Sequence, residues 1–121
     1  MVEAAAPDAA FARLVRLVGA RGLPEVEPST SHGAPCLRVR TKVIVTLKNS
    51  SVLVLNCPIE QKALLMEISP EIYFETDHYI GWPAVLVNLD AIGDEELSLR
   101  LEDAWRFKAP KRLAALRPTA A

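Results

Sequence analysis

Between Pro28 and Ile59 the only charged side chains are Arg38, Arg40, Lys42 and Lys48, and from Ala104 to the C-terminus they are Arg106, Lys108, Lys111, Arg112 and Arg117. Neither stretch holds an acid, whereas Glu60 to Asp103 sets eleven acids against Lys62 and Arg100. Cations clustered without counter-charge are what phosphate recognition needs, because the local field, and not the net charge of −1, decides whether a surface attracts a polyanion. Arg38 and Arg40, two positions apart, are expected on one face of a strand, with Thr46 or Lys48 of a paired neighbour extending it. A ribbon bearing such side chains can contact phosphates. The same charges equally suit the solvated outer face of a half-buried sheet. In the C-terminal cluster a helix terminus, where positive charge is favoured, accounts for about two of the five cations. Lys111 and Arg112 are then the foremost phosphate-binding candidates.

A second set of recognition side chains lies in Thr76 to Trp82, where Asp77, His78, Tyr79 and Trp82 fall within seven residues. Aromatic rings and a histidine on a loop between strands can stack on a base or a small planar ligand, and His32 can join them. In the competing reading Tyr79 and Trp82 cap the core beneath the loop and His78 holds the turn at Gly81. His32, followed by Gly33 and Pro35, reads foremost as turn chemistry. No nucleophile elbow, Walker loop or Gly-x-Gly-x-x-Gly is present, and no catalytic residue is expected. Cys36 and Cys57, twenty-one apart, fit no metal spacing, and with only His32 and His78 available the expectation is free thiols, no metal and no cofactor. Glu60, Glu67, Glu71, Glu75 and Asp77 read as the solvated face of a helix and its following turn.

The elements that must position these groups follow from the apolar pattern. Residues 8 to 21 form a helix that Asp8 can cap, with Phe11, Leu14, Val15 and Val18 on one stripe. Glu25 to Gly33 is expected as a loop or a short irregular strand. Strands follow at Cys36 to Arg40, at Lys42 to Lys48 and at Ser51 to Asn56; in the second, Val43, Val45 and Leu47 share one face and Ile44, Thr46 and Lys48 the other. Pro58 opens a helix that Ser69-Pro70 stops, and Ile72 to Phe74 and Pro83 to Leu89 are strands. Gly93-Asp94 opens the last long helix, with the stripe Leu97, Leu101, Ala104 and Trp105, and Lys111 to Leu116 restarts as a short basic turn after Pro110. This order predicts a single α+β domain over residues 1–121, in two layers, with the helices packed on one face of a largely antiparallel sheet. The N-terminal Met-Val-Glu-Ala lacks the charge and apolar region of a signal peptide, and no apolar run approaches a membrane span. A cytoplasmic protein without a membrane partner is the expectation, with a monomer as the default.

Three segments in register resemble the MmcQ/YjbR family, small bacterial proteins commonly described as DNA-binding. They are Thr30-Ser31-His32-Gly33-Ala34-Pro35 with Arg38 and Lys42; Tyr73-Phe74-Glu75-Thr76-Asp77-His78-Tyr79 with Gly81-Trp82 and Val85-Leu86-Val87; and Asp103-Ala104-Trp105-Arg106 with Ala109-Pro110-Lys111-Arg112-Leu113. The resemblance covers roughly residues 8 to 116. It implies a frataxin-like (CyaY-like) arrangement, a sheet with helices on one face, also described as a double-wing DNA-binding fold. DNA is then the implied partner, held weakly and by its phosphates through Arg38, Arg40, Lys42, Lys111 and Arg112. The residues leave an alternative open, a ligand- or protein-binding module using His32, His78, Tyr79 and Trp82. An iron role of the frataxin type would need an acidic ridge on the first helix, which instead carries Arg13, Arg16 and Arg21.

Overall fold

The structure is a computed structural model and describes residues 5–117. Its first layer is one six-stranded antiparallel sheet in the order β1-β2-β3-β4-β6-β5. The strands are β1 (Val26–Ser31), β2 (Ala34–Val39), β3 (Lys42–Leu47), β4 (Val52–Asn56), β5 (Tyr73–Phe74) and β6 (Ala84–Asn88). Helices α1 (Ala5–Arg21), α2 (Ile59–Ile68) and α3 (Asp94–Lys108) form the second layer, followed by the short α4 (Lys111–Ala115). α3 lies over β3 and β4 and packs on α1, while α2 covers β5 and β6 at the other edge. The α+β class and the one-sided helix layer are those expected from the sequence.

The core sits between the layers. Two cross-strand rows, Leu37–Val45–Leu55–Val85 and Leu47–Leu53–Val87–Tyr73, line the inner face of the sheet. Leu14, Leu17 and Val18 of α1 and Leu97, Leu101, Ala104 and Trp105 of α3 close on them. The indole N–H of Trp105, buried with the ring, is satisfied by donating 2.9 Å to the Pro24 carbonyl. That bond also brings the C-terminal end of α3 to the start of β1.

Several local expectations are corrected. The segment expected as a loop or a short irregular strand is the regular edge strand β1, paired along its whole length with β2. An edge strand tolerates Pro28 and a polar outer face, which is why its composition looks like a loop. Its turn into β2 is His32-Gly33, with φ of 51° and 81°; two successive positive φ values match the right-handed twist of the strands. Arg40 is not on the strand face with Arg38. It lies in the two-residue turn between β2 and β3, with φ 57°. The alternation expected in β3 fails at Ile44, which bulges between Val43, opposite Arg38, and Val45, opposite Leu37. Ile44 therefore joins Val45 and Leu47 in the core. The first helix already runs by Ala5, so Asp8 lies within it and not at its cap.

Candidate functional site

The outer face of the sheet carries the cross-strand row Ser29–Cys36–Thr46–Val54–Leu86–Phe74. Residues 75–83 fold back over part of this face, with a single 3-10 turn at Asp77–Tyr79. Tyr79 closes one side of a concavity of about 320 Å3 whose other walls are the His32 turn, Thr46, Val54 and Lys48. The Lys48 ammonium stands 5.9 Å from the centre of the Tyr79 ring, within the range of a cation–π attraction. His78 meets Tyr79 edge-on at 4.9 Å between centroids, and lies parallel to Trp82, within 10°, at 6.4 Å. Of the alternative set, His32 and Tyr79 thus meet across this concavity, whereas Trp82, joined to Tyr79 through His78, lines a separate concavity of about 200 Å3 against α2 with Ile59, Lys62, Ala63, Met66 and Glu75. Trp82 does not cap the core: it is 59% exposed, and Ile80 beside it is exposed as well.

An exposed aromatic loop of this kind needs an anchor, and α2 supplies it. Lys62 is only 4% exposed. Its ammonium donates to the carbonyls of Tyr79 (2.6 Å) and Trp82 (2.9 Å) and pairs with Glu75 Oε1 at 2.6 Å. Two hydrogen bonds to loop carbonyls and an ion pair to the carboxylate at the loop's start meet at one ammonium, so one buried charge fixes the loop's path. Sequence reasoning missed Lys62 and assigned Glu75 to a solvated face. The signal was present: Lys62 stands three residues from both Ile59 and Leu65, on the apolar stripe of its helix.

The basic set is dispersed. Arg38 is on the outer face, but its guanidinium donates to Ser29 Oγ and to the carbonyls of Thr30 and Thr41, tying β1 to the β2–β3 turn. Arg40 pairs with Glu25 at 2.7 Å, which draws the Glu25 carboxyl below its ordinary range. In the C-terminal cluster, Arg106 and Arg117 turn inward with Arg21 onto Glu102, at 2.8, 3.1 and 2.6 Å. Burial pushes the Glu102 carboxyl up, but the hydrogen bonds from Arg117, Arg21 and Arg106 outweigh it and hold the group at about 2. Among the described residues, Lys42, Lys111 and Arg112 remain exposed and pair with no carboxylate. Arg40 and Lys42, in and after the β2–β3 turn, lie beside Glu25, which follows the Pro24 carbonyl that holds Trp105.

The thiols are poor nucleophiles. Both cysteines are free and buried, and burial pushes the Cys57 thiol up to about 11. Among the described residues no group of three His, Cys, Asp or Glu side chains is placed to hold a metal ion. No helix among them is long and apolar enough to cross a membrane.

The YjbR family profile matches residues 21–107, from the end of α1 through all six strands to the penultimate residue of α3. The chain belongs to the YjbR family. Uncharacterized proteins of Mycobacterium tuberculosis and Mycobacterium bovis are 42% identical to it over 52 residues. That match spans 43% of this chain and 40% of those relatives. No solved structure matches. The YjbR match takes in His32, His78, Tyr79, Trp82 and the Lys62 anchor, whereas Lys111 and Arg112 lie beyond its end.

Proposed function

We propose that this YjbR protein is a non-enzymatic nucleic-acid-binding module that receives a single strand on the open face of its sheet. Bases would stack on the Trp82, His78 and Tyr79 loop, and a phosphate would meet Lys48. The observation that carries the reading is the exposure of Trp82 on a loop pinned by a buried lysine. A large aromatic held in water by a built anchor is a stacking platform, and stacking is worth about 1–3 kcal/mol per base. The cation beside Tyr79 supplies the charge such platforms use, and the exposed His32 with the half-buried Ser31 and Thr46 offers polar contacts to a backbone. The expected phosphate-directed set loses Arg38 and Arg40 to internal bonds, which leaves Lys42, Lys111 and Arg112 for duplex DNA, few for binding that depends on neutralised phosphates.

Fluorescence anisotropy of labelled oligothymidylate, of about 12 nucleotides, against a duplex of equal length tests the reading. Preference for the single strand is expected, with a shallow salt dependence of about 0.7 in log–log slope for each phosphate held. Trp82→Ala should weaken binding about tenfold or more, as the loss of one stacked base requires. Binding that prefers the duplex, falls steeply with salt and is abolished by K111A/R112A would replace this site with the basic corner. A nucleoside monophosphate that binds where the oligonucleotide does not would reduce the partner to a small planar anion.

A further inference from the structure

Helix α2 is apolar out of proportion to what it buries. Of Ile59, Leu64, Leu65, Met66 and Ile68, only Leu65 is fully buried, while Ile59, Leu64 and Ile68 are exposed, the last at 66%. A helix with apolar residues around most of its circumference ordinarily lies between two partners, and α2 is backed on one side by the thin β5–β6 edge, by the loop that Lys62 holds and by Asp103 of α3. Leu64 and Ile68, four apart, share the outward face with the exposed acids Glu60, Glu67 and Glu71. The surface that would cover α2 is therefore apolar and basic.

The chain itself carries such a surface. Phe107 and Leu116 are exposed, the latter at 75%, beside the exposed Lys111 and Arg112 and in a stretch without acids. The two surfaces are neighbours. Gln61 in the first turn of α2 donates 2.8 Å to Asp103 of α3, and Lys108 stands about 7.5 Å further along that helix, at about 1.5 Å per residue. Complementary patches side by side close on themselves under a two-fold rotation, so that each copy gives and receives the same contact.

We infer that the protein forms a two-fold dimer in which the acidic, apolar face of α2 packs on the basic C-terminal segment around α4 of a second copy, and the reverse. This departs from the monomer taken as the default from the sequence, and it assigns Lys111 and Arg112 to a protein contact. Sedimentation equilibrium of the full chain tests it, together with two charge-reversed variants, E60K/E67K and K111E/R112E. The wild type should show a monomer–dimer equilibrium that shifts towards monomer as salt rises. Each variant should weaken association at least about tenfold, because every reversal acts twice in a two-fold contact. An equimolar mixture of the two should associate as a heterodimer, since the two reversed patches then meet at one contact and the two unaltered patches at the other. The quadruple variant should recover the homodimer, which also shows that the substitutions leave the fold intact. A wild type monomeric at every concentration at low salt, a dimer indifferent to both reversals, or a mixture that stays monomeric would each overturn the inference.

Discussion

Replacing Glu102 by glutamine tests the structural account of the C-terminal arginines. The carboxylate is 12% exposed and gathers guanidinium groups from the end of α1, from one turn further along α3 and from beyond α4. Its pKa falls from an ordinary 4.5 to about 2, and at about 1.4 kcal/mol per tenfold change in proton affinity this is worth at most about 3 kcal/mol. The arginines are partly exposed, so screening brings the expected figure to about 2 kcal/mol. Because the folded-state pKa is depressed, this stability is complete above 4.5 and is lost as pH falls through about 2. Glutamine keeps the shape and removes the charge, so it mimics the protonated acid at every pH. Urea denaturation of both proteins between pH 7 and pH 2 should show a gap of about 2 kcal/mol at neutral pH, or roughly 6–10 °C in Tm, that closes as the pH approaches 2. Subtracting the two curves cancels the titration of all other carboxyls. A gap that does not change with pH would show that Glu102 acts by packing alone and that the arginines are not committed to it.

Further outcomes follow from the same geometry. Lys62→Met leaves Glu75 without its counter-charge and two loop carbonyls without their donor. It should cost about 2–3 kcal/mol in denaturation and weaken oligonucleotide binding more than Lys48→Met does, a ranking that anisotropy on both variants checks. Trp82→Ala, by contrast, should change stability by no more than about 0.5 kcal/mol while lowering affinity, because the ring is mostly in water. Cys36 and Cys57 should resist a thiol reagent at pH 8 in the native protein and both react after denaturation, since the thiols are buried and the Cys57 pKa stands near 11.

The α3 stripe and the buried run of β6 could be read from the sequence because periodicity reports on burial, and both elements bury what the pattern marks. β1 could not, since an edge strand with a polar outer face and a proline has the composition of a loop. The faces of β3 were misassigned from Ile44 back because a bulge inserts one residue without any mark in an apolar run. At the candidate site the aromatic cluster was visible as composition, and so was His32 as a turn residue. The approach of Tyr79 to His32 depends on the path of the 75–83 loop, which a lysine 13 residues before its start determines.

The basic residues carry a lesson that their positions along the chain conceal. Counting charges treats arginine and lysine alike, yet here the two divide by environment. Among the described residues Arg13, Arg16, Arg21, Arg38, Arg40, Arg100, Arg106 and Arg117 all hold a carboxylate or a carbonyl, and Arg112 stands apart. Of the lysines, Lys62 alone is bonded in this way, while Lys42 and Lys111 face solvent and Lys48 and Lys108 lie over aromatic rings. The planar fork of arginine suits fixed, multidentate bonds between elements, whereas the compact, strongly hydrated ammonium favours water unless several acceptors replace it. An acid-free run rich in arginine is therefore as consistent with scaffold as with a polyanion site, because its counter-charges stand just outside the run: Glu25 for Arg40, and Glu102 for Arg106 and Arg117. The lysines left outside these bonds, with Arg112, are the charges available to a partner. In the readings proposed above, Lys48 beside the Tyr79 ring would serve a nucleic acid and Lys111-Arg112 a second copy of the chain.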